Sequence, residues 1–287
     1  MTPPRAMTIA GSDSGGGAGI QADLKTFAAF GVFGTSAVTA ITAQNTKGVT
    51  AVQAVDLPVI GEQIDAIVSD IGTDAVKIGM LASSEIVELV AEKLREHRLS
   101  NVVVDPVMVA TSGDRLLKDG AVESIRTALI PLASVVTPNL DEAMVLTDLQ
   151  IENMEDMKES ARRIHAMGPT TVLVKGGHSS ADEGDGRMRD VLFDGESFTI
   201  FVDARIDTTS THGTGCTLSS AIAAGLSHGA SIPDAIADAK AYLTEALSLA
   251  FPVGNGHGPV NHMFGWWNGA GGAGKGGATH SVAREHE

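Results

Sequence analysis

An α/β fold, with a central and mostly parallel sheet covered by helices on both faces, is predicted by three features of the sequence. Between residues 59 and 175, short apolar segments of strand length alternate regularly with longer segments of helical periodicity. Polar residues directly follow several of these apolar segments, at the edge where ligands bind in an open α/β sheet. Aromatic residues make up only 4% of the chain, and a glycine-, alanine- and valine-rich chain with few aromatics suits a layered α/β fold.

The chain opens with a strand, a glycine-rich loop and a helix. Residues 6–10 are apolar, residues 11–19 form the glycine-rich loop, and residues 20–30 have helical periodicity. This layout is typical of a ligand loop at the edge of an α/β sheet, although the loop matches neither the P-loop nor the dinucleotide-binding fingerprint. A plain connection is the alternative interpretation of this loop.

A β-rich segment over residues 34–41 ends in two amides, Gln44 and Asn45. Amides just past a strand are well placed to contact a ligand, because such loops face the open end of the sheet. A turn is the alternative, since asparagine is a common turn residue. A second β-rich segment over residues 50–55 is expected to form a flap with the first.

The regular alternation that follows predicts a parallel sheet with both faces covered. Beyond it, two β-rich segments flank Asp194 and Gly195 and predict a hairpin, and residues 232–251 predict a helix. The alternating segments are strands over residues 75–78, 101–104, 134–137 and 171–175, and helices over residues 59–70, 84–98, 121–129 and 154–167.

Polar side chains at the predicted strand ends indicate a ligand site. Asp105, Asn139, Glu142 and Lys175 all lie at or just past such an end. Asp105 and Glu142 are candidate outer ligands of a Mg²⁺ ion that keeps most of its water. Lys175 is placed to pair with a nucleotide phosphate as a point charge. Helix caps or solvated surface charges are the alternative for each residue taken alone.

The polar loop over residues 207–216 runs directly into an apolar helix over residues 217–226. Its glycines therefore lie at a helix N-terminus, where unpaired backbone N–H groups and the helix dipole bind anions. Gly213 and Gly215 allow the backbone to approach an anion closely. Cys216, in the first turn, is expected to have a lowered pKa. The arrangement suits phosphoryl transfer to an alcohol, and a structural thiol beside an ordinary loop is the alternative.

Composition limits the partners and the compartment. The net charge of −15 disfavours nucleic acid and anionic membranes as main partners. A single cysteine cannot form an internal disulfide, and no segment is apolar enough over sufficient length to span a bilayer. A cytoplasmic protein is expected. One folded domain is predicted over residues 1–267, followed by a glycine-rich tail over residues 268–287 that is expected to be disordered.

Six motifs resemble, in sequence and in order, those of the bacterial hydroxymethylpyrimidine/phosphomethylpyrimidine kinases of thiamine biosynthesis, in the ribokinase superfamily. The resemblance extends from about residue 6 to residue 267. The joint order of the motifs is far more specific than any one of them. The motifs are AGSDSGGGAGIQADLK (residues 10–25), KIGML (77–81), DPVM (105–108), TPN with Glu142 (137–142), KGGH (175–178) and THGTGCT (211–217).

The resemblance implies a three-layer ribokinase-like fold, ATP and Mg²⁺, a homodimer, and two successive phosphorylations of a pyrimidine alcohol. Cys216 stands where most of the superfamily has an aspartate base, so the identity of the proton acceptor stays open. The implied site residues are Gly213, Thr214, Gly215 and Cys216 for catalysis, Gly11, Asp23, Gln44, Met80 and Val107 for the pyrimidine, Asn139, Lys175, Thr208 and Lys240 for ATP, and Asp105 and Glu142 for the metal.

Two other functions stay open. Pyridoxal kinases are close relatives with a similar Gly-Thr-Gly-Cys loop, and a non-catalytic sensor of a vitamin precursor is the third possibility. The intact anion loop and carboxylates disfavour the sensor. Gln44 favours the pyrimidine over pyridoxal, because a glutamine amide offers the donor and acceptor that match a ring nitrogen beside an exocyclic amine. Pyridoxal has no such amine.

Overall fold

The structure is a computed structural model that describes residues 2–108, 120–177, 186–267 and 283–286. Within these ranges ten strands form one continuous sheet. In chain order the strands are β1 (Arg5–Asp13), β2 (Phe33–Asn45), β3 (Gly48–Ala54), β4 (Ala75–Ile78), β5 (Val102–Val104), β6 (Val135–Val136), β7 (Thr171–Val174), β8 (Arg187–Phe193), β9 (Phe198–Ala204) and β10 (Ala283–His286).

The sheet has the strand order β10-β9-β8-β7-β6-β5-β4-β1-β2-β3. Its centre, from β7 to β2, is parallel throughout. The hairpin of β8 and β9 is antiparallel, as predicted, and so is β3 beside β2. The predicted flap is therefore not separate from the sheet, because β2 extends the parallel sheet and then pairs with β3. The strand order reverses between β1 and β4, where open α/β sheets form their ligand crevice.

Helices cover both faces of the sheet and confirm the predicted three layers. Successive side chains of a strand point to opposite faces, and in β5 Val102 and Val104 join one hydrophobic core while Val103 joins the other. The helices are α1 (Gly19–Ala29), α2 (Leu57–Ala66), α3 (Ser84–Glu96), α4 (Ala121–Ser124), α5 (Leu140–Thr147), α6 (Met154–His165), α7 (Thr214–Ser227), α8 (Ile232–Ser248) and α9 (Phe264–Trp267).

Helix α5 was not predicted from the sequence, although a local signal for it exists. The Asn139 side chain accepts a hydrogen bond from the backbone N–H of Glu142, and the Glu142 carboxylate accepts one from the backbone N–H of Asn139. This reciprocal capping box satisfies two backbone donors that the helix leaves unpaired. Asparagine followed three residues later by glutamate is therefore a readable helix start within the polar segment after β6.

The structure differs from the expected disordered tail over residues 268–287 at one place. Residues 268–282 and 287 lie outside the described residues, but residues 283–286 form β10, which pairs antiparallel with β9. The edge of β9 offers unpaired backbone groups that an extended segment can join whatever its side chains. Backbone pairing of this kind leaves no periodicity in the sequence.

Among the described residues, the structure has no helix that is both long and apolar enough to cross a membrane.

A fully buried ion pair joins two helices to two strands of the sheet. The Lys77 ammonium, on β4, lies 2.9 and 3.0 Å from the two carboxylate oxygens of Asp23 on α1. Thr8 on β1 and Ser220 on α7 donate hydrogen bonds of 2.6 and 2.7 Å to the same carboxylate. Both charged side chains are fully buried. The pair therefore fixes two strands and two helices relative to one another.

Replacing Lys77→Met should lower the free energy of unfolding by about 3–5 kcal/mol, because it leaves the Asp23 carboxylate buried without its cation. Urea unfolding followed by circular dichroism measures the change. Arg163→Ala is the matched control, since Arg163 pairs with Glu159 on an exposed surface where ion pairs contribute little. Equal midpoints for the two variants would contradict the structural role of the buried pair.

Candidate active site

A cavity of about 710 Å³ opens at the carboxyl ends of the parallel strands. All the predicted site residues except Asp23 line it. Side chains predicted for the small-molecule substrate and those predicted for the nucleotide therefore share one space. The predicted residues in the wall are Gly11, Gln44, Met80, Asp105, Val107, Asn139, Glu142, Lys175, Thr208, Gly213, Thr214, Gly215, Cys216 and Lys240.

The N-terminus of α7 faces this cavity, as the sequence predicted. Gly213 caps the helix with a φ of 80°, and a Cβ there would lie 1.9 Å from the carbonyl oxygen of Gly17. Only glycine fits that position. A Cβ built on Gly215 would lie 3.4 Å from Asp105 Oδ2 and 3.5 Å from Lys175 Nζ. The positive end of the helix therefore lies beside the charged pair at the ends of β5 and β7.

Lys175 and Asp105 form the charged pair of the site. Lys175 Nζ lies 3.0 Å from Asp105 Oδ1, and the Thr137 hydroxyl contacts the same oxygen at 3.4 Å. Burial works to lower the pKa of Lys175, but the charges of Asp105 and Glu142 outweigh it and hold this pKa above its usual value. The lysine is therefore a partly buried cation in the wall, with a carboxylate on one side and the first turn of α7 on the other.

Asp105 and Glu142, the predicted magnesium ligands, fit a hydrated ion. Burial raises the pKa of Glu142 to about 7, Lys175 opposes this increase, and the charge of Asp105 adds to it. Burial destabilises the ionised form of this carboxylate, and a divalent cation bound beside it would offset that cost. In proteins, Mg²⁺ is commonly bound through one or two carboxylates and keeps several water ligands. The donor set therefore suits the predicted ion.

A second group of candidate metal ligands lies elsewhere. Within the described ranges, Asp65, Glu96 and His97 are the one set of three such side chains whose ligand atoms lie within 4.8 Å of one another. Lys93 Nζ already lies 2.8 Å from both carboxylates, and His97 Nε2 lies 2.6 Å from Asp65. These contacts form a surface ion-pair network and indicate no metal site.

The structure corrects the predicted place of Asp23 and shows that the charge of Lys240 is already paired. Asp23 does not line the cavity, because its carboxylate is fully enclosed by the ion pair with Lys77. Lys240 does line the cavity, but its ammonium is bound by the carboxylates of Asp190 and Asp203. The Asp190 carboxylate also accepts the backbone N–H of Gly176. Lys240 thus fastens α8 to β8 and β9, and its charge is already compensated within the protein.

The expected lowering of the Cys216 pKa is wrong for this structure. Burial raises the pKa of the thiol to about 11; Lys77 opposes this increase, while the carboxylates of Asp23 and Asp105 add to it. The helix N-terminus and one lysine do not compensate for the loss of water around a thiolate. The thiol therefore keeps its proton at neutral pH.

Sequence reasoning missed the pair of Asp13 and His212. Asp13 ends β1 and His212 precedes the cap of α7, yet His212 Nε2 lies 2.9 Å from Asp13 Oδ2. Both line the cavity. The contact joins the glycine-rich loop to the anion loop across 199 positions of the chain. Both residues stand within motifs of the sequence, but nothing in their local pattern indicates that they meet.

Comparison with known proteins gives consistent results. A family model described as phosphomethylpyrimidine kinase matches residues 13–261. The chain is 52% identical over 257 residues to the thiamine biosynthesis bifunctional protein ThiED of Geobacter sulfurreducens, covering 90% of this chain and 52% of that protein. It is 50% identical over 265 residues to the hydroxymethylpyrimidine/phosphomethylpyrimidine kinase of Mycobacterium bovis, covering 92% of this chain and 95% of that protein. The chain thus spans about half the length of the bifunctional relative.

A solved structure supports the fold. The pyridoxal kinase of Bacillus subtilis in complex with ADP is 41% identical, with a TM-score of 0.83 over 91% of this chain and 98% of that chain. The predicted ribokinase-like fold is confirmed.

The raised pKa of Cys216 predicts slow alkylation that accelerates with pH. Because the thiolate is the reactive form, the rate with iodoacetamide should rise about tenfold per pH unit from pH 7 to pH 10. The single cysteine of the chain makes the reaction easy to follow by intact mass. The urea-unfolded chain is the control, since its rate should level off near an ordinary thiol pKa of about 8.5. A plateau below pH 8 in the folded protein would contradict the raised pKa.

Proposed function

The chain belongs to the phosphomethylpyrimidine kinase family, and on that premise we propose that it phosphorylates hydroxymethylpyrimidine with ATP and then phosphorylates the monophosphate. The observation that carries this proposal is the common cavity. It joins Gln44, suited to an aminopyrimidine, to the N-terminus of α7 and the Asp105–Lys175 pair, suited to a phosphoryl group. Transfer between two bound substrates requires this proximity.

The first turn of α7 is proposed to hold the transferring phosphoryl group. Little covalent chemistry is required of a kinase, so positioning and electrostatic stabilisation dominate. The backbone N–H groups after Gly213 and the Lys175 ammonium supply fixed positive charge beside the proposed phosphoryl group. Asp105 and Glu142 would hold Mg²⁺, which neutralises charge on the phosphates when it is bound.

Cys216 is proposed to orient the alcohol rather than to remove its proton. The thiol has a pKa of about 11 in the free protein, so a general base with this pKa is almost fully protonated at neutral pH. A loose transition state makes early proton removal unnecessary. We propose that the proton passes to an oxygen of the transferred phosphoryl group. Asn139, Thr208 and Lys175 in the same wall are proposed to contact ATP.

A pyridoxal kinase is the second candidate, favoured by the similarity to the Bacillus subtilis enzyme. A coupled assay of ADP release separates the candidates when each alcohol is supplied alone. We expect turnover with hydroxymethylpyrimidine and with its monophosphate, and at least about tenfold lower efficiency with pyridoxal. Preferential use of pyridoxal would overturn the proposal. If neither alcohol caused any release of ADP, the result would favour the sensor.

We also propose a homodimer in the cytoplasm. Strand β3 lies at the edge of the sheet, and residues 50–54 along it are exposed. Ile41 on β2 and Val52 on β3 expose 56% and 48% of their surface. An exposed, partly apolar edge strand is a surface that proteins usually cover.

A cytoplasmic location agrees with the use of ATP and with a single cysteine that forms no internal disulfide.

Replacing Gly215→Ala should slow turnover about 100-fold, because the added methyl group lies between α7 and the Asp105–Lys175 pair, where the phosphoryl group is proposed to bind. The KM for the pyrimidine should change little. Gly61→Ala on α2 is the matched control, since its Cβ would meet its nearest atom at 3.5 Å, nearly the 3.4 Å found at Gly215. Wild-type turnover in Gly215→Ala would exclude this loop as the phosphoryl site.

Replacing Gln44→Met should reduce kcat/KM for hydroxymethylpyrimidine by at least about tenfold and leave pyridoxal turnover nearly unchanged. Methionine keeps the volume but removes the amide, so the ring nitrogen and amine of the pyrimidine lose their partners. Steady-state kinetics of both proteins with both alcohols provide the measurement. A variant that uses the pyrimidine as well as wild type does would remove Gln44 from substrate recognition.

A further inference from the structure

His212 lies beside the cavity, where the ends of β1 and β2 meet the glycine-rich loop and the segment around Gly258. Its Nε2 lies 2.9 Å from Asp13 Oδ2 and 3.4 Å from Gln44 Nε2, and its backbone N–H donates a 3.0 Å hydrogen bond to Gly258. Gly17 packs against the ring so closely that a Cβ there would lie 2.6 Å from His212 Cδ2. The imidazole is thus buried and held in one position between the glycine-rich loop and the substrate wall.

Asp13 decides which atom of the imidazole carries the proton. Its carboxylate accepts the backbone N–H groups of Gly15, Gly17 and Ala18. Burial by itself would raise the pKa of Asp13, but hydrogen bonds from His212, Ala18 and Gly15 outweigh it and lower this pKa. An ionised carboxylate only accepts hydrogen bonds. His212 therefore donates its Nε2 proton to Asp13.

The Gln44 amide, as it is placed, meets two donor–acceptor conflicts. With its proton directed to Asp13, His212 Nε2 has no lone pair for the Nε2–H of Gln44. The Thr42 hydroxyl lies 2.8 Å from the Ser12 carbonyl and 3.2 Å from Gln44 Oε1, but it has one proton and the carbonyl takes it. Oxygen and nitrogen of an amide are assigned from such networks. Exchanging the two atoms removes both conflicts. Nε2 then donates to Thr42, and Oε1 is an acceptor 3.4 Å from His212 Nε2, whose single proton it shares as the longer branch of the hydrogen bond to Asp13.

We propose that His212 and Thr42 are positioning residues that fix the Gln44 amide with its oxygen toward the anion loop, and so set the direction in which the aminopyrimidine binds. The inference rests on the proposed function and deepens it. In that substrate the amine and the hydroxymethyl group occupy neighbouring ring carbons. An amine bound to Oε1 therefore lies on the His212 side, and the hydroxymethyl group points toward Gly213.

The reversed amide would bind the same ring the wrong way round. The ring nitrogen would then lie on the His212 side, and the amine with its neighbouring hydroxymethyl group would point away from the anion loop. Such a complex keeps two hydrogen bonds but places the alcohol where no phosphoryl group can reach it. Loss of either positioning residue therefore lowers kcat without raising KM for the pyrimidine, because part of the bound substrate is held in an unproductive orientation.

The test uses Thr42→Val, which keeps the shape of the side chain but removes the hydroxyl, with Thr42→Ser as the control that restores it. We expect Thr42→Val to lose about tenfold in kcat with hydroxymethylpyrimidine, with KM for ATP within about twofold of wild type. Thr42→Ser should keep most of the efficiency. In a Gln44→Met background, Thr42→Val should cost less than about twofold, because the amide that it orients is gone.

His212→Met and His212→Gln test the second positioning residue in the same way. The methionine variant removes the donor and should lose kcat as Thr42→Val does. The glutamine variant retains a donor near the position of Nε2 and should keep more of the activity. The Thr42 series decides the matter by itself if the His212 variants do not fold. The positioning role would be overturned if Thr42→Val lost as much kcat in the Gln44→Met background as it does alone, or if Thr42→Ser did not restore the activity. A wild-type protein without activity on the pyrimidine would instead overturn the proposed function, and the inference with it.

Discussion

The buried carboxylate of Asp23 is the point on which the arrangement of the site depends. Asp23 belongs to α1, and its carboxylate accepts hydrogen bonds from β1, β4 and α7. This one carboxylate therefore fixes the two strands that flank the crevice and the helix that begins at the anion loop. Burying two charges costs a large desolvation energy, which good geometry and full hydrogen bonding offset here. The Lys77 charge also acts on Cys216 and Asp105, and so connects the core to the chemistry above it.

A second constraint is the close contact between two glycine loops. The carbonyl of Gly17 lies against Gly213, and Asp13 binds both the backbone of the first loop and His212 of the second. The first loop thus supports the helix N-terminus that is proposed to receive the phosphoryl group. Its glycines allow backbone to pass close to backbone, and its own N–H groups are directed inward to Asp13. This explains a glycine cluster that lacks the lysine of a P-loop.

Much of the fold could be predicted because its signals are local. Apolar alternation located β4 to β7, and small apolar residues after Gly213 located α7. The helix α5 was missed because its capping box was not recognised within a polar segment. The site residues could be selected from the resemblance and from strand ends, since the parallel topology brings all strand ends to one edge. Asp23 was misplaced, and the pairing of Lys240 was not foreseen, because the local sequence around a charged residue gives no indication of whether another side chain already neutralises it.

The sequence by itself determined the α/β class, the family and the anion loop, and all but one of the site residues that it predicted line the cavity. Motif order and periodicity are properties of neighbouring positions, so they can be read without the fold. Only the tertiary structure decided which charges are paired with one another and in which direction the pKa of the Cys216 thiol shifts. The pairing of Asp13 with His212, of Lys77 with Asp23 and of Lys240 with two aspartates joins positions far apart in the chain. The pKa of Cys216 depends on how much water the folded chain excludes. Burial and long-range contact arise from the whole chain, so no local pattern encodes them.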